Sequence, residues 1–316
     1  MQTYIVLIAC VVLLLCLFFR VPVYISVFAA ALTYFLFQTG SSPAIIAQRI
    51  GGGIQSIPLL AIPFFICAGI FMNSSGVTKR IMNFCNVVTK RMTGGLGQVN
   101  VLLSTLMGGL SGSNLADAAM EAKILVPEME EKGYSKEFSS VLTATSAMIT
   151  PLIPPGMGMI LYGSIANVSI GKLFVAGIGI GVLLCISLMI MVHFISKKRG
   201  YQPATKEKQD PEEVKSAVKQ AILPLCLPIL IIGGIRIGIV TPTEAGTVAI
   251  VYALILGIIY KELKMSDVVD GLKESVATTA SIMMIVGGAS AFAWVLTKER
   301  IPQQLTEVIT SNISNK

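Results

Sequence analysis

The stretch Gly94–Glu128, GGLGQVNVLLSTLMGGLSGSNLADAAMEAKILVPE, decides how this chain is laid out. Its first apolar run, Leu96 to Leu110, rises only about 22 Å as a helix, short of the roughly 30 Å hydrocarbon core of a bilayer. The run then meets Ser111-Gly112-Ser113-Asn114, a tight polar turn, and a second short helical stretch follows to Val126. Two layouts compete: one kinked helix that crosses, or a re-entrant hairpin that returns to the side it left. A bilayer is implied by the composition of the 316 residues, of which 54% are apolar and only 13% charged. The mean hydropathy is +0.78. A soluble domain carries about 25% charged residues, so this chain lacks the polar surface to coat a water-exposed globule, and a soluble enzyme or nucleic-acid binder is excluded. Apolar runs of spanning length recur and the weak ten-residue alternation of a spanning β-barrel is absent, which predicts an all-α polytopic membrane protein.

Basic residues choose between the two layouts, because each layout distributes Lys and Arg differently across the membrane. The flanking spans are read as Thr3 to Phe19, Val21 to Phe37, Ile57 to Met72, Phe138 to Asn167, Leu173 to Ile195, Ala221 to Ile235, Pro242 to Tyr260 and Ser281 to Leu296. With a hairpin at about 94–128, one face collects 18 of the 24 basic residues, among them Arg20, Lys79, Arg80, Lys90, Arg91, Lys132, Arg199, Lys261 and Lys264. With a crossing helix the best division falls to about 14 against 10. The hairpin is therefore expected, with the basic loops cytoplasmic and the N-terminus outside. The net charge of +7 reads as a topology signal, not as a surface for anionic partners. No positive side chain precedes the first apolar run and no small-residue cleavage pattern follows it, so that segment reads as a retained span. The six cysteines lie mostly in apolar runs without metal spacing and read as small hydrophobes.

The span Phe138 to Asn167 holds Thr150-Pro151-Leu152-Ile153-Pro154-Pro155-Gly156 at its middle, where three prolines stop a regular helix. Lipid does not tolerate free backbone, so this break is expected to face protein or a wet cavity. Ala44 to Ile54 and Ser266 to Ala277 are short amphipathic runs, each just before an apolar span, about 222 residues apart. Val21-Pro22 and Thr241-Pro242 keep a similar offset. The pattern predicts inverted repeats, with an odd number of crossings in the first unit. The expected division is a first repeat over 1–200, a cytoplasmic linker over 201–220 with a short helix inside Ser196 to Lys219, and the start of a second repeat over 221–316. In that register the partner of the hairpin begins near position 316, so a C-terminally truncated product, or a degenerate second unit, is expected.

The hairpin tip Ser111-Gly112-Ser113-Asn114 offers the chemistry of an ion or small-anion site: hydroxyls of Ser111 and Ser113, the amide of Asn114, and two helix ends. Na⁺ near Ser111, Ser113 and Asn114 fits carbonyl and hydroxyl ligands. Asp117 and Glu121 lie one turn apart on the second arm, where Asp117 serves either as a cap or as a membrane-embedded functional acid. Ser146, Thr150, Pro154, Pro155 and Gly156, with Thr143 and Thr145 nearby, form the candidate opposite edge, although membrane hydroxyls commonly bond back to their own helix. Glu244, in Thr241-Pro242-Thr243-Glu244, serves either transport or the first turn of its helix. The string Gly109-Leu110-Ser111-Gly112 resembles that of rhomboid intramembrane serine proteases, which would need Ser111 beside His193. That histidine lies at the far end of its span, so the pairing is not expected. No Walker A phosphate loop is present, so direct ATP drive is unsupported.

Taken together, Gly94-Gly95-Leu96-Gly97-Gln98-Val99-Asn100-Val101, the tip from Leu110 to Ala119, Lys132-Gly133-Tyr134, Pro151 to Gly156, Tyr162-Gly163, Ser169 to Phe174 and Thr241 to Ala245 closely resemble the large membrane subunit (DctM) of TRAP transporters, the tripartite ATP-independent periplasmic systems of bacteria and archaea. The resemblance covers nearly the whole chain. It implies a Na⁺-driven importer of organic acids, such as C4-dicarboxylates, sialic acid or other sugar acids, working by an elevator motion in the cytoplasmic (inner) membrane. It also implies a periplasmic substrate-binding protein and a small four-helix membrane subunit as partners, and no enzymatic activity or cofactor beyond the coupling ion. Ser111 to Asn114 match the family's first hairpin tip, and Pro151 to Gly156 the adjacent break. The second hairpin, second broken span and last helix that family members typically carry have no counterpart in these residues. A stand-alone Na⁺-coupled carboxylate transporter or ion antiporter of related design, and a non-transporting membrane scaffold, are the competing readings.

Overall fold

A computed structural model describes residues 2–38, 42–111, 113–203 and 210–312. Among these residues all regular structure is helical: α1 (Gln2–Phe18), α2 (Val23–Phe37), α3 (Pro43–Ile54), α4 (Ala61–Ser74), α5 (Val77–Thr89), α6 (Gly95–Ser111), α7 (Asn114–Glu131), α8 (Lys136–Ser146), α9 (Met157–Ala166), α10 (Ile170–Arg199), α11 (Pro211–Arg236), α12 (Pro242–Tyr260), α13 (Met265–Lys298) and α14 (Ile301–Asn312). Five of the described helical stretches are long and apolar enough to cross a membrane, and six if the bent pair α8–α9 is one span. The chain is an all-α, multi-pass integral membrane protein.

The helices form two compact units, Met1–Ser56 with Ala277–Lys316, and Ile57–Val276. In the first, Val6, Ala9, Tyr34 and Val295 make a small core, with Phe35 stacked on Trp294 at 5.6 Å. In the second, α4 lies along α12, and α6 is the central helix, touching α4, α5, α7, α8, α10 and α11. Side chains of α6 explain its position. Leu96 and Val101 enter a core with Met129, Phe138, Leu142, Ile149 and Val192. Gly97 lets α10 approach, since a Cβ there would stand 2.9 Å from Val192. Gln98 Nε2 donates to the Met189 carbonyl at 2.9 Å.

Three sequence boundaries are corrected. The second hairpin arm does not stop at Val126: α7 runs through Pro127 to Glu131. The proline removes one backbone donor, while buried Leu125, Val126 and Met129 on either side keep the arm packed. The hydrophilic linker does not extend to Lys219, because Asp210 caps α11 by accepting from Glu212 N at 3.0 Å, with Pro211 in the first turn. The run Ser266 to Ala277 is not a separate element, since α13 is continuous for 34 residues. Ala277-Thr278-Thr279-Ala280 offers neither Gly nor Pro to end a helix.

Helix bounds recur along the chain. Pro43, the start of α3, and Met265, the start of α13, are 222 positions apart. The ends of α2 and α12 (Phe37 and Tyr260) are 223 apart.

Candidate functional site

The two arms of the hairpin come together through one polar contact: Ser104 Oγ donates to Glu121 Oε2 at 2.6 Å, inside the protein. These residues stand at nearly equal distances on either side of the turn, as an antiparallel pair requires. At the base, Lys90 and Lys132, which precede and follow the hairpin, line the same cavity of about 560 Å³ together with Arg199 and Tyr201. The two arms therefore run antiparallel, and the chain returns to the end it came from. Tyr134 fixes this base, stacking on Tyr201 at 4.2 Å, and its burial pushes the phenol up to about 12.

At the tip, Ser111 closes α6, and Gly112 lies outside the described residues. Ser113, in extended conformation, caps α7 by accepting from Ala116 N at 3.4 Å. Asn114, the first residue of α7, is exposed, as is Leu115 at 79%. Asp117 is fully buried in the first turn of α7, where the helix dipole favours a carboxylate. The cap of α7 is thus Ser113, and Asp117 lies inside the fold.

The broken span meets the upper half of α6. Its parts are α8, a 3-10 turn at Thr150–Leu152, the buried Pro154, Pro155 and Gly156, and α9, with a bend of 44°. Asn100 Nδ2 donates to Thr143 Oγ1 at 2.7 Å, and Ser146 Oγ donates to Asn100 Oδ1 at 2.6 Å. One turn higher, Thr150 Oγ1 donates to the Ser104 carbonyl at 3.2 Å. Still higher, Gly108 faces Thr150 and Ile153, and Gly109 faces Pro228 of α11, with the Pro154 carbonyl next to it. The end of α6 and the break are therefore neighbours, as the sequence reading requires of one composite site. Ser146 and Thr150 have their hydroxyls engaged in this seam, and Thr145 bonds back to the Val141 carbonyl at 2.7 Å. Asn100 and Ser104 are the seam residues that sequence reasoning missed. Gln98 and Thr105 are polar on the same arm, so no local pattern sets the pair apart.

Two other sequence candidates resolve structurally. Glu244 closes a capping box: its Oε2 accepts from Thr241 N at 2.7 Å, while its own N donates to Thr241 Oγ1 at 3.3 Å. His193 is exposed beside Val192, the residue that packs on Gly97. Gly97 lies about 21 Å down α6 from Ser111, so a Ser111–His193 catalytic pair does not exist.

The family described as "Tripartite ATP-independent periplasmic transporter, DctM component" matches residues 10–316. The chain is similar to the sialic acid TRAP transporter large permease protein SiaM of Vibrio cholerae, 42% identical over 92% of this chain and 68% of SiaM. It is 39% identical to the sialic acid TRAP transporter permease protein SiaT of Haemophilus influenzae, over 96% of this chain and 49% of SiaT. It is also 36% identical to the 2,3-diketo-L-gulonate TRAP transporter large permease protein YiaN of Escherichia coli, over 84% of this chain and 62% of YiaN. The chain thus spans between about half and two thirds of the length of these relatives. A family match running from residue 10 to residue 316, with a relative 42% identical over 92% of the chain, places this transporter component, and not an enzyme, in the DctM family of TRAP large permeases.

Proposed function

We propose that this chain supplies the first hairpin and broken span of a secondary active importer for an organic acid, driven by Na⁺ and fed by a periplasmic binding protein. The observation that carries the proposal is the packing of the α6 end against the Pro151 to Gly156 break, through Gly108 and Gly109. Two interrupted helices that meet supply free carbonyls, hydroxyls and N–H groups at one point, which is what a transient ion and carboxylate site needs. In this reading Ser111, Gly112, Ser113 and Asn114 bind and gate, opposite Pro154, Pro155 and Gly156. Asp117, Ser146 and Thr150 lie behind them as support. Na⁺ moving down its gradient supplies about 2.3 kcal/mol per charge per 100 mV plus a concentration term, and no covalent chemistry is required.

The recurrence of helix bounds at 222 and 223 residues supports an inverted repeat, and with it an elevator-type motion of one part against another. The basic end of the second unit, with Arg80, Lys90, Lys132 and Arg199, fits the cytoplasmic side of the inner membrane, with the N-terminus outside. The partners are a small four-helix membrane subunit and the binding protein. The relatives named for sialic acid and 2,3-diketo-L-gulonate support the organic acid class without choosing a member of it.

The test is uptake by the complete complex in proteoliposomes. Uptake is expected only with an inward Na⁺ gradient and with the binding protein present. Full-rate transport of free acid without the binding protein would favour a stand-alone carrier and overturn this assignment.

A further inference from the structure

Glu121 lies eight residues beyond Ser113, about 12 Å along α7, so whatever answers its charge is separate from the tip. The residue is 0% exposed. Its Oε2 accepts from Ser104, while Oε1 is shielded from solvent and has no hydrogen-bond partner among the described residues. Asp117, one turn toward the tip and equally buried, acts on it electrostatically, and Glu121 in turn acts on the buried thiol of Cys85 on α5, as does Cys185 of α10. The facing arm, α6, carries no titratable residue, nor does the 3-10 turn at Thr150–Leu152. On α8, Lys136 and Glu137 are exposed in the first turn, and Lys123 of α7 is exposed as well. None of the ion pairs among the described residues involves Glu121.

A carboxylate buried this way costs several kcal/mol unless a positive charge or donors answer it, and a second carboxyl one turn away raises that cost. No basic side chain does so among the described residues. One H⁺, or one monovalent cation, answers a single carboxylate charge. We propose that Ser104 and Glu121, with Asp117 adding charge, form a monovalent-cation site inside the hairpin, taking H⁺ or Na⁺ between the arms. It rests on the hairpin of the proposed transporter, yet its test measures no uptake, so failure of transport and failure of this site are separate results.

The experiment is thermal unfolding of the purified protein in choline chloride and in sodium chloride, from about pH 6 to about pH 9. Wild type is expected to lose stability as pH rises in choline. Restoration by sodium assigns the site to Na⁺ as well as H⁺, and no effect of sodium assigns it to H⁺ alone. Glu121→Gln, a neutral isostere, should lose the pH response and its rescue by sodium, while Ser187→Ala, at an exposed hydroxyl of α10 outside the hairpin, should keep them. Ser104→Ala, which strips the remaining donor, should shift the stability midpoint toward lower pH or higher sodium. A wild type indifferent to both cations, or a Glu121→Gln curve superimposed on wild type, overturns the site. If Glu121→Gln does not fold, a Ser104→Ala curve unchanged from wild type does the same.

Discussion

The seam and the tip of the hairpin are built from the same residue types, a few positions apart, and they do opposite things. In the seam, Asn100, Ser104, Thr143, Ser146 and Thr150 are all buried, and each has a partner in the protein. At the tip, Asn114 is exposed, Leu115 beside it presents 79% of its surface, and Ser113 serves a local cap. Polar groups that answer each other hold α6 to the broken span, since burial without partners costs about 1–3 kcal/mol per group. Polar groups turned outward contribute little to holding the fold and are open to a ligand. Residue type alone does not separate the two roles; position along α6 and α7 does.

The strongest way to break the comparison is to wedge open the break on which the seam rests. A Cβ on Gly156 would lie 2.2 Å from the Pro151 carbonyl oxygen, which is backbone and cannot swing aside. Gly156→Val is expected to destabilise the purified protein by about 3 kcal/mol, the upper range for overpacking a filled site. Thermal unfolding in detergent measures it, and a stability equal to wild type would show that the break is loose and not a packed edge.

A gentler cut removes the polar link while keeping the volume. Asn100→Leu deletes the bonds to Thr143 and Ser146, of 2.7 and 2.6 Å, and should cost about 2 kcal/mol. Combined with Ser146→Ala, the loss should be clearly smaller than the two separate losses added, because the two residues share one bond. Additive losses in this double-mutant cycle would mean that the seam is not a single network.

These contrasts also mark how far the sequence could be read. Hydropathy located six of the eight expected spans among helices long and apolar enough to cross, counting the bent pair as one, while α1 and α2 fall short of that length. The distribution of Lys and Arg chose a hairpin, and the structure joins its two arms through Ser104 and Glu121. The proline run announced the break, because a missing donor is a local property. Boundaries set by competing signals were harder. Pro211 reads as loop by composition but sits where helices favour proline, and the continuity of α13 depends on nothing interrupting it. Asn100 and Ser104 were illegible for another reason. Their partners Thr143, Ser146 and Thr150 lie 43 to 46 residues away, so no local pattern distinguishes a seam asparagine from an ordinary one. Ser146 and Thr150 were picked out for the tip's chemistry and turn out to belong to the seam's.

The smallest structural effect should accompany the sharpest functional one. Ser113→Ala removes a cap and should cost about 1 kcal/mol. Asn114→Ala, at an exposed first-turn position, should change stability by less than about 0.5 kcal/mol. If the tip is the gate of the proposed site, losing one oxygen ligand of about 1.5 kcal/mol there lowers uptake by the complete complex about tenfold. Asn100→Leu should show the reverse order, a large loss of stability, with uptake falling only in proportion to the folded fraction. Should Asn114→Ala transport at the wild-type rate while Asn100→Leu, fully folded, does not, the seam would be the working surface and the tip merely its cover.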